Sequence, residues 1–150
     1  ALGAWLVAGA MGCTASTRYI GLVDASDPGA VRLVETSGRT HRLATGEDAA
    51  LFADLGGCSV MVEGPRRVRT VAVRQWVVTD SGDGSAPFIG TLTQEGLRWF
   101  VDDIQTGVRV YLEEASLGAL RQHVGRTVLL AGYVSGPHKV NVVRWRLLGP

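Results

Sequence analysis

The chain lacks most of what marks a dedicated catalyst or a cross-linked scaffold. It has two cysteines in 150 residues, Cys13 and Cys58, so at most one bridge can form and a disulfide framework is excluded. It has three histidines, His41, His123 and His138, and none is spaced with another His or a Cys as metal ligands are. Fifteen basic residues nearly cancel fourteen acidic ones, leaving a net charge of +1 and no overall field that would gather a polyanion. Lys139 is the sole lysine, and the arginines are scattered apart from Arg66, Arg67 and Arg69. No phosphate-binding glycine loop, dinucleotide fingerprint or nucleophile elbow occurs. The acidic neighbours Asp102–Asp103 and Glu113–Glu114 point to opposite faces if they lie on strands, so neither forms a carboxylate dyad by itself. Nothing calls for a cofactor or a metal, and these absences argue against an enzyme. The uncharged opening run, residues 1–13, is too short to cross a bilayer as a helix.

What the sequence does have is self-similarity. "YIGLV" (19–23) and "FIGTL" (88–92) share a core about one unit apart. Behind them, "VRLVET" (31–36) aligns with "LRWFVD" (97–102), and "GRTHRLAT" (38–45) with "GVRVYLEE" (107–114). "ALFADLG" (50–56) aligns with "ALRQHVG" (119–125), "SVMVEGP" (59–65) with "TVLLAGY" (127–133), and "VAVRQWVV" (71–78) with "VNVVRWRL" (140–147). Six blocks in one order predict an internal duplication.

Each copy reads as strand, strand, strand, short helix, strand, strand. Alternating β-branched and polar residues mark the strands, and "SG" and "GP" mark turns. Gly21 and Gly90 inside the first strands predict a sharp bend. Thr45 opens a Thr-x-x-Asp helix start, with Leu51, Phe52 and Leu55 on one face and Gly56–Gly57 as the stop. Ser116 is the corresponding cap in the second copy, with Leu117, Leu120 and Val124 as the face and Gly125 as the stop. Trp76 and Trp145 match between copies, which places them in the core or in the seam under each helix. This order is that of the OB-fold, a five-stranded Greek-key barrel with one helix between strands three and four. "GRTVLLAGYV…VNVVRW" resembles the last two strands of small bacterial OB-fold domains of exported proteins and lipoproteins of unassigned role. The fold class expected is therefore all-β with short helices, as two tandem five-stranded OB-fold barrels. The boundaries are a signal segment at 1–13, a first domain at 18–79, a linker at 80–86 and a second domain at 87–150. A single ten-stranded sandwich is the alternative; it needs strands exchanged between the halves. "DSGDGS" (80–85) alternates carboxylates and glycines as calcium loops do, but no bidentate Glu follows at the required distance, so it reads as linker.

OB-folds bind ligands on the face of strands two and three and through the loops around it. On these strands the candidate contacts are Arg32, Arg39, His41 and Arg42 in the first copy, and Arg98, Trp99, Arg109 and Tyr111 in the second. Trp99 and Phe100 are consecutive, so one faces in and one out. "GAMGC" (9–13) resembles the lipobox of bacterial lipoproteins, in which the Cys receives lipid and becomes the mature N-terminus. Gly12 fits that pattern, while Ala10 and Met11 depart from it. The resemblance implies lipidation at Cys13, and Thr14, not being Asp, implies sorting to the outer membrane. A free or disulfide-bonded Cys13 is the other reading. The function expected is a non-catalytic envelope lipoprotein on the periplasmic side. It would act as a binding or assembly module, with another envelope protein, a peptide or a glycan as partner and the membrane held through the lipid. The alternative is a cytoplasmic OB-fold protein that binds single-stranded nucleic acid.

Overall fold

The structure, a computed structural model, describes residues 16–150; the signal segment expected at 1–13, with Cys13, lies outside the described residues. The first half contains β1 (Thr17–Asp24), β2 (Arg32–Val34), β3 (Thr40–Ala44), α1 (Ala49–Ala53), β4 (Ser59–Gly64), β5 (Arg66–Arg67), β6 (Thr70–Ala72) and β7 (Gln75–Asp80). The second contains β8 (Phe88–Glu95), β9 (Arg98–Asp102), β10 (Arg109–Leu112), β11 (Thr127–Gly136) and β12 (Lys139–Leu147). Strict alternation makes these strands: β3 and β4 bury every second side chain. Every strand pairing stays within its own half, so strands are not exchanged and the sandwich alternative does not apply.

The second half closes into a barrel in the order β10-β12-β11-β8-β9. Its parallel seam joins Tyr111 to Lys139 and Leu112 to Val140. β11 and β12 form one long arm with register shifts at Ala131/Gly132 and Val134/Gly136, which bend it around the barrel. The first half repeats the path: β1 pairs with β2 and β4, and β3 runs parallel to β6 with Leu43 opposite Val71. Here the second expected barrel is not formed. The sheet is open, in the order β5-β6-β3-β2-β1-β4-β7. The physical reason lies in the arm. Pro65 has no N–H to give a ladder and separates β4 from β5, and Val73–Arg74 separates β6 from β7. Two backbone hydrogen bonds cross the gap without making a ladder, Ala72 to Pro65 at 3.0 Å and Arg74 to Glu63 at 2.9 Å, while Val73 to Ala44 at 2.9 Å extends the β3–β6 pairing.

Two pairs of glycines fix the bends. A methyl on Gly21 would lie on the carbonyl oxygen of Val34, and one on Gly90 on that of Asp102. Likewise Gly64 meets the carbonyl of Ala72, and Gly132 that of Asn141. The helices are shorter than the sequence predicts. Thr45 makes no side-chain cap, and the first turn is 3-10 over Gly46–Asp48 before α1. The Asp48 carboxylate instead accepts from the indole of Trp76 at 3.0 Å. In the second half only 3-10 turns form, over Glu114–Ser116 and Gly118–His123. Ser116 does not cap; its hydroxyl donates to the carbonyl of Glu113 at 2.7 Å and accepts from the amide of Val142 at 2.9 Å. Val124, expected on the buried face, is 47% exposed. Trp76 and Trp145 are both half-buried beside these turns, Trp76 edge-on to Phe52 and Trp145 tilted against His123.

The cores of the halves meet. The barrel interior holds Leu92, Trp99, Val101, Leu112, Leu120 and Val128 among others. The core of the first half, built around Leu33, Phe52, Leu55 and Val62, also contains Ile89, Leu129 and Leu148 from the second. Ile89 and Leu129 are cross-strand partners, and Arg146 is the next partner in the same row. That row is the seam. The Arg146 guanidinium donates to the carbonyls of Asp54 and Gly56 at 2.8 and 2.9 Å, at the end of α1. The Gly149 amide donates to Asp54 Oδ2 at 2.8 Å. Gln105 bridges back to the backbone of Val78, accepting from its amide at 2.6 Å.

Candidate functional site

On β9 and β10 the pleat sends Trp99, Val101, Val110 and Leu112 into the barrel and Arg98, Phe100, Asp102, Arg109 and Tyr111 outward. Trp99, a candidate contact, is therefore a core residue at 6% exposure, and Phe100 takes the outward place. Phe100 is nonetheless covered, because the Arg109 guanidinium carbon sits 4.0 Å over its ring and Tyr111 approaches it edge-on at 5.9 Å. Asp102 holds Arg109 in that position through two hydrogen bonds, at 2.8 and 3.1 Å. The same bonds keep the Asp102 carboxyl below the usual Asp value and push Arg109 higher still. Arg98 leans on the other side, 6.0 Å from the Tyr111 ring.

Beyond Tyr111 the surface becomes a groove of about 560 Å³. Its walls are Leu97 in the β8–β9 turn, Pro137 in the β11–β12 turn and the side chains of Arg98, Tyr111, Glu113 and Lys139 between them. Lys139 pairs with Glu113 at 3.3 Å, and the Ser135 hydroxyl donates to the same carboxylate at 3.0 Å. Glu114 joins the wall and faces Arg121 at 3.7 Å. The groove thus offers both signs of charge, one aromatic face and one fully exposed turn residue, Leu97, at 86%. Arg98 and Tyr111 line it and the otherwise buried Trp99 contributes to its floor, whereas Arg109 is turned toward Phe100 and Asp102.

The first half presents the same face differently. Arg32 and Arg42 are cross-strand partners, both exposed, and Arg39 is exposed in the β2–β3 turn. His41, expected among them, is buried at 1% because alternation on β3 turns it inward. Its ring tilts against Tyr19 at 4.7 Å, and its Nε2 lies 3.3 Å from Glu35 Oε2, but neither ring nitrogen makes a hydrogen bond.

The "DSGDGS" stretch is ordered by its own carboxylates. Asp80 accepts from the amides of Gly82 and Gly84, and Asp83 from Ser81, from both the hydroxyl and amide of Ser85, and pairs with Arg144 at 3.1 Å. The Ser85 hydroxyl, then that of Ser81, lead in holding the Asp83 carboxyl well below the usual range. Asp103, buried at 2%, similarly accepts from the amide of Ile89 at 3.1 Å and the hydroxyl of Thr106 at 2.8 Å, which builds the turn after β9. Among the described residues no three His, Cys, Asp or Glu side chains converge as a metal site would require. Cys58 is buried, and burial pushes its thiol up from the ordinary value. No helix of the described residues is long and apolar enough to cross a membrane.

The sequence left open which of Trp99 and Phe100 faces out, and it did not single out Glu113, Pro137 and Lys139 as contacts. Only the register of β9 against β10, and of β10 against β12, brings them to one face. The chain matches no protein-family model, no curated protein and no solved structure.

Proposed function

We propose that this chain is a non-catalytic binding protein of the cell envelope, built from two OB-type modules, that holds an extended peptide segment of a partner across the β9–β10 face. The groove between the β8–β9 and β11–β12 turns carries this reading, since OB-folds take ligands on strands two and three between the corresponding loops. A peptide suits it better than a polyanion. Glu113 and Glu114 would repel a phosphate chain, while Arg98, Lys139 and the two glutamates can meet side chains of either sign. Tyr111 supplies a rigid, amphipathic contact of the kind that anchors interfaces. The tandem reading is supported by the shared strand order and by the matched glycines; the first module is then an OB barrel whose arm is interrupted at Pro65 and at Val73–Arg74. The envelope reading rests on the lipobox-like residues before Cys13, which would anchor the protein through lipid on the periplasmic side of the outer membrane.

Two measurements test this. Selection of a random peptide library on the immobilised protein should return binders whose affinity survives high salt and falls at least about tenfold in Tyr111→Ala, a modest hot-spot loss. A single-stranded oligonucleotide that binds this face and is lost as salt rises would favour the nucleic-acid alternative instead. Fractionation and intact mass of the full-length precursor and its Cys13→Ser variant test the anchor. Equal solubility, with no lipid mass on the wild type, rejects it.

A further inference from the structure

Six of the eight arginines of the first half, all but Arg18 and Arg74, gather at one end of its sheet. Register aligns Arg32 with Arg42, Arg42 with Thr70, and Thr70 with Arg67, which sets three arginines in one row across four strands. Just beyond, Arg39, Arg66 and Arg69 line a cleft of about 420 Å³ between the β2–β3 and β5–β6 turns. None of these six forms an ion pair among the described residues, although Arg18, Arg109, Arg121 and Arg144 all do. The nearest carboxylate in the row, Asp24, stands at its far end opposite Arg32.

At the tip of this cluster sits Val68. It is 88% exposed and has φ of 57°, a left-handed conformation in which a β-branched residue is strained. The turn keeps an apolar side chain in water between Arg67 and Arg69, and Arg66 Nε donates to the Val68 carbonyl at 2.8 Å. The matching turn of the second half holds His138 at φ of 53°, so the hairpin sets this conformation; what distinguishes the first half is that the turn presents an exposed apolar side chain among arginines.

We propose that this turn and the arginine row form a docking surface for an anionic lipid bilayer, with Val68 entering the interface and the arginines meeting headgroup phosphates. Six unpaired arginines give the charge complementarity. The apolar tip gives the lipid part, as it does for other interfacial anchors. A single-stranded nucleic acid fits less well, because the outward residues of β2 and β3 are Arg32, Val34, Thr40, Arg42 and Ala44, and none is an aromatic on which a base could stack. This surface is separate from the β9–β10 groove and does not depend on it.

The test uses the full chain with Cys13→Ser, so that lipid at Cys13 plays no part. Co-sedimentation with phosphatidylcholine vesicles sets the baseline, including any contribution of the apolar opening segment. Addition of phosphatidylglycerol should raise binding, and salt should lower it. Replacing Arg66, Arg67 and Arg69 together by Gln should reduce the phosphatidylglycerol-dependent binding roughly 100-fold, the loss expected for three headgroup contacts. Val68→Gly relieves the backbone strain, so its melting temperature should hold or rise while vesicle binding falls. The proposal is overturned if phosphatidylglycerol adds nothing, or if the triple variant binds as wild type does. It is also overturned if Val68→Gly leaves vesicle binding unchanged, because the surface would then read charge alone. An oligothymidylate that competes fully with the vesicles for the triple-arginine site, at equal or lower concentration, would likewise overturn it in favour of a polyanion.

Discussion

The two halves follow one path and end differently. Both bend at a glycine in the first strand, both run strand three parallel to strand five, and both place a tryptophan beside the short helical turns. One closes and the other stays open. The difference is local. β11 and β12 run unbroken for ten and nine residues, whereas the matching arm in the first half is cut by Pro65 and by Val73–Arg74. Closure here thus goes with a last hairpin that stays paired through its bulges, and the rest of the path survives without it. Their outer faces differ as well: the charged side chains of one are arginines set among small and β-branched residues, while the other mixes aromatic, acidic and basic side chains.

The sharpest way to break the comparison is to cut the chain between Asp80 and Pro87. The closed barrel should remain folded, because its interior is its own. Residues up to Asp80 should lose structure alone, since Ile89, Leu129 and Leu148 complete their core. Amide exchange on both pieces reads this, and a first half that protects its amides when isolated would remove the asymmetry. Next in size are the glycines. Gly90→Ala should cost about 3 kcal/mol or more in urea unfolding, because a methyl has no room beside a backbone carbonyl in a closed sheet. Gly21→Ala meets the same obstacle in a sheet with free edges and should cost less; equal losses would mean that openness gives no relief.

Arg146→Ala should cost about 2 kcal/mol, the scale of hydrogen bonds to a charged group. Exchange should quicken first around Asp54–Cys58, where the lost carbonyl contacts lie. Uniform quickening over both halves would show instead that they unfold as one unit. Trp76→Phe should cost about 1 kcal/mol more than Trp145→Phe, because only Trp76 has an indole hydrogen bond among the described residues. Parity between the two would reduce that bond to ornament. The smallest effect is in acid. The Asp83 carboxyl is depressed in the folded protein, so the stability it contributes is complete above its ordinary value of 3.8 and is lost as pH falls below it. Asp83→Asn should flatten the melting-temperature profile below pH 3.8, and an unchanged slope would sever the loop from acid stability.

Much of the path was legible in the sequence because alternation and glycine carry it. The pattern of "SVMVEG" and "THRLA" puts strands in place, and Gly21 and Gly90 mark the bends. Closure was not legible, since Pro65 and Arg74 look like ordinary turn residues until the hydrogen-bond partners of the arm are known. The face was half legible. Parity demanded that one of Trp99 and Phe100 point out, but only pairing with β10 decides that Phe100 does. His41 went astray for the same reason: one residue of register separates an outward ligand from a buried ring. The short helices were overestimated because Thr45 and Ser116 have cap chemistry, while Asp48 and Ser116 are engaged by Trp76 and Val142.

The shared seam also sets an order in time. Leu148 packs in the core of the first half, and the Gly149 amide reaches Asp54, so the half that leaves the ribosome first lacks part of its interior until Leu148 and Gly149 emerge. The closed barrel has no such debt. Synthesis therefore delivers an unfinished sheet first and a self-sufficient barrel second, and Leu148 and Gly149 act as the latch that completes the structure begun at β1.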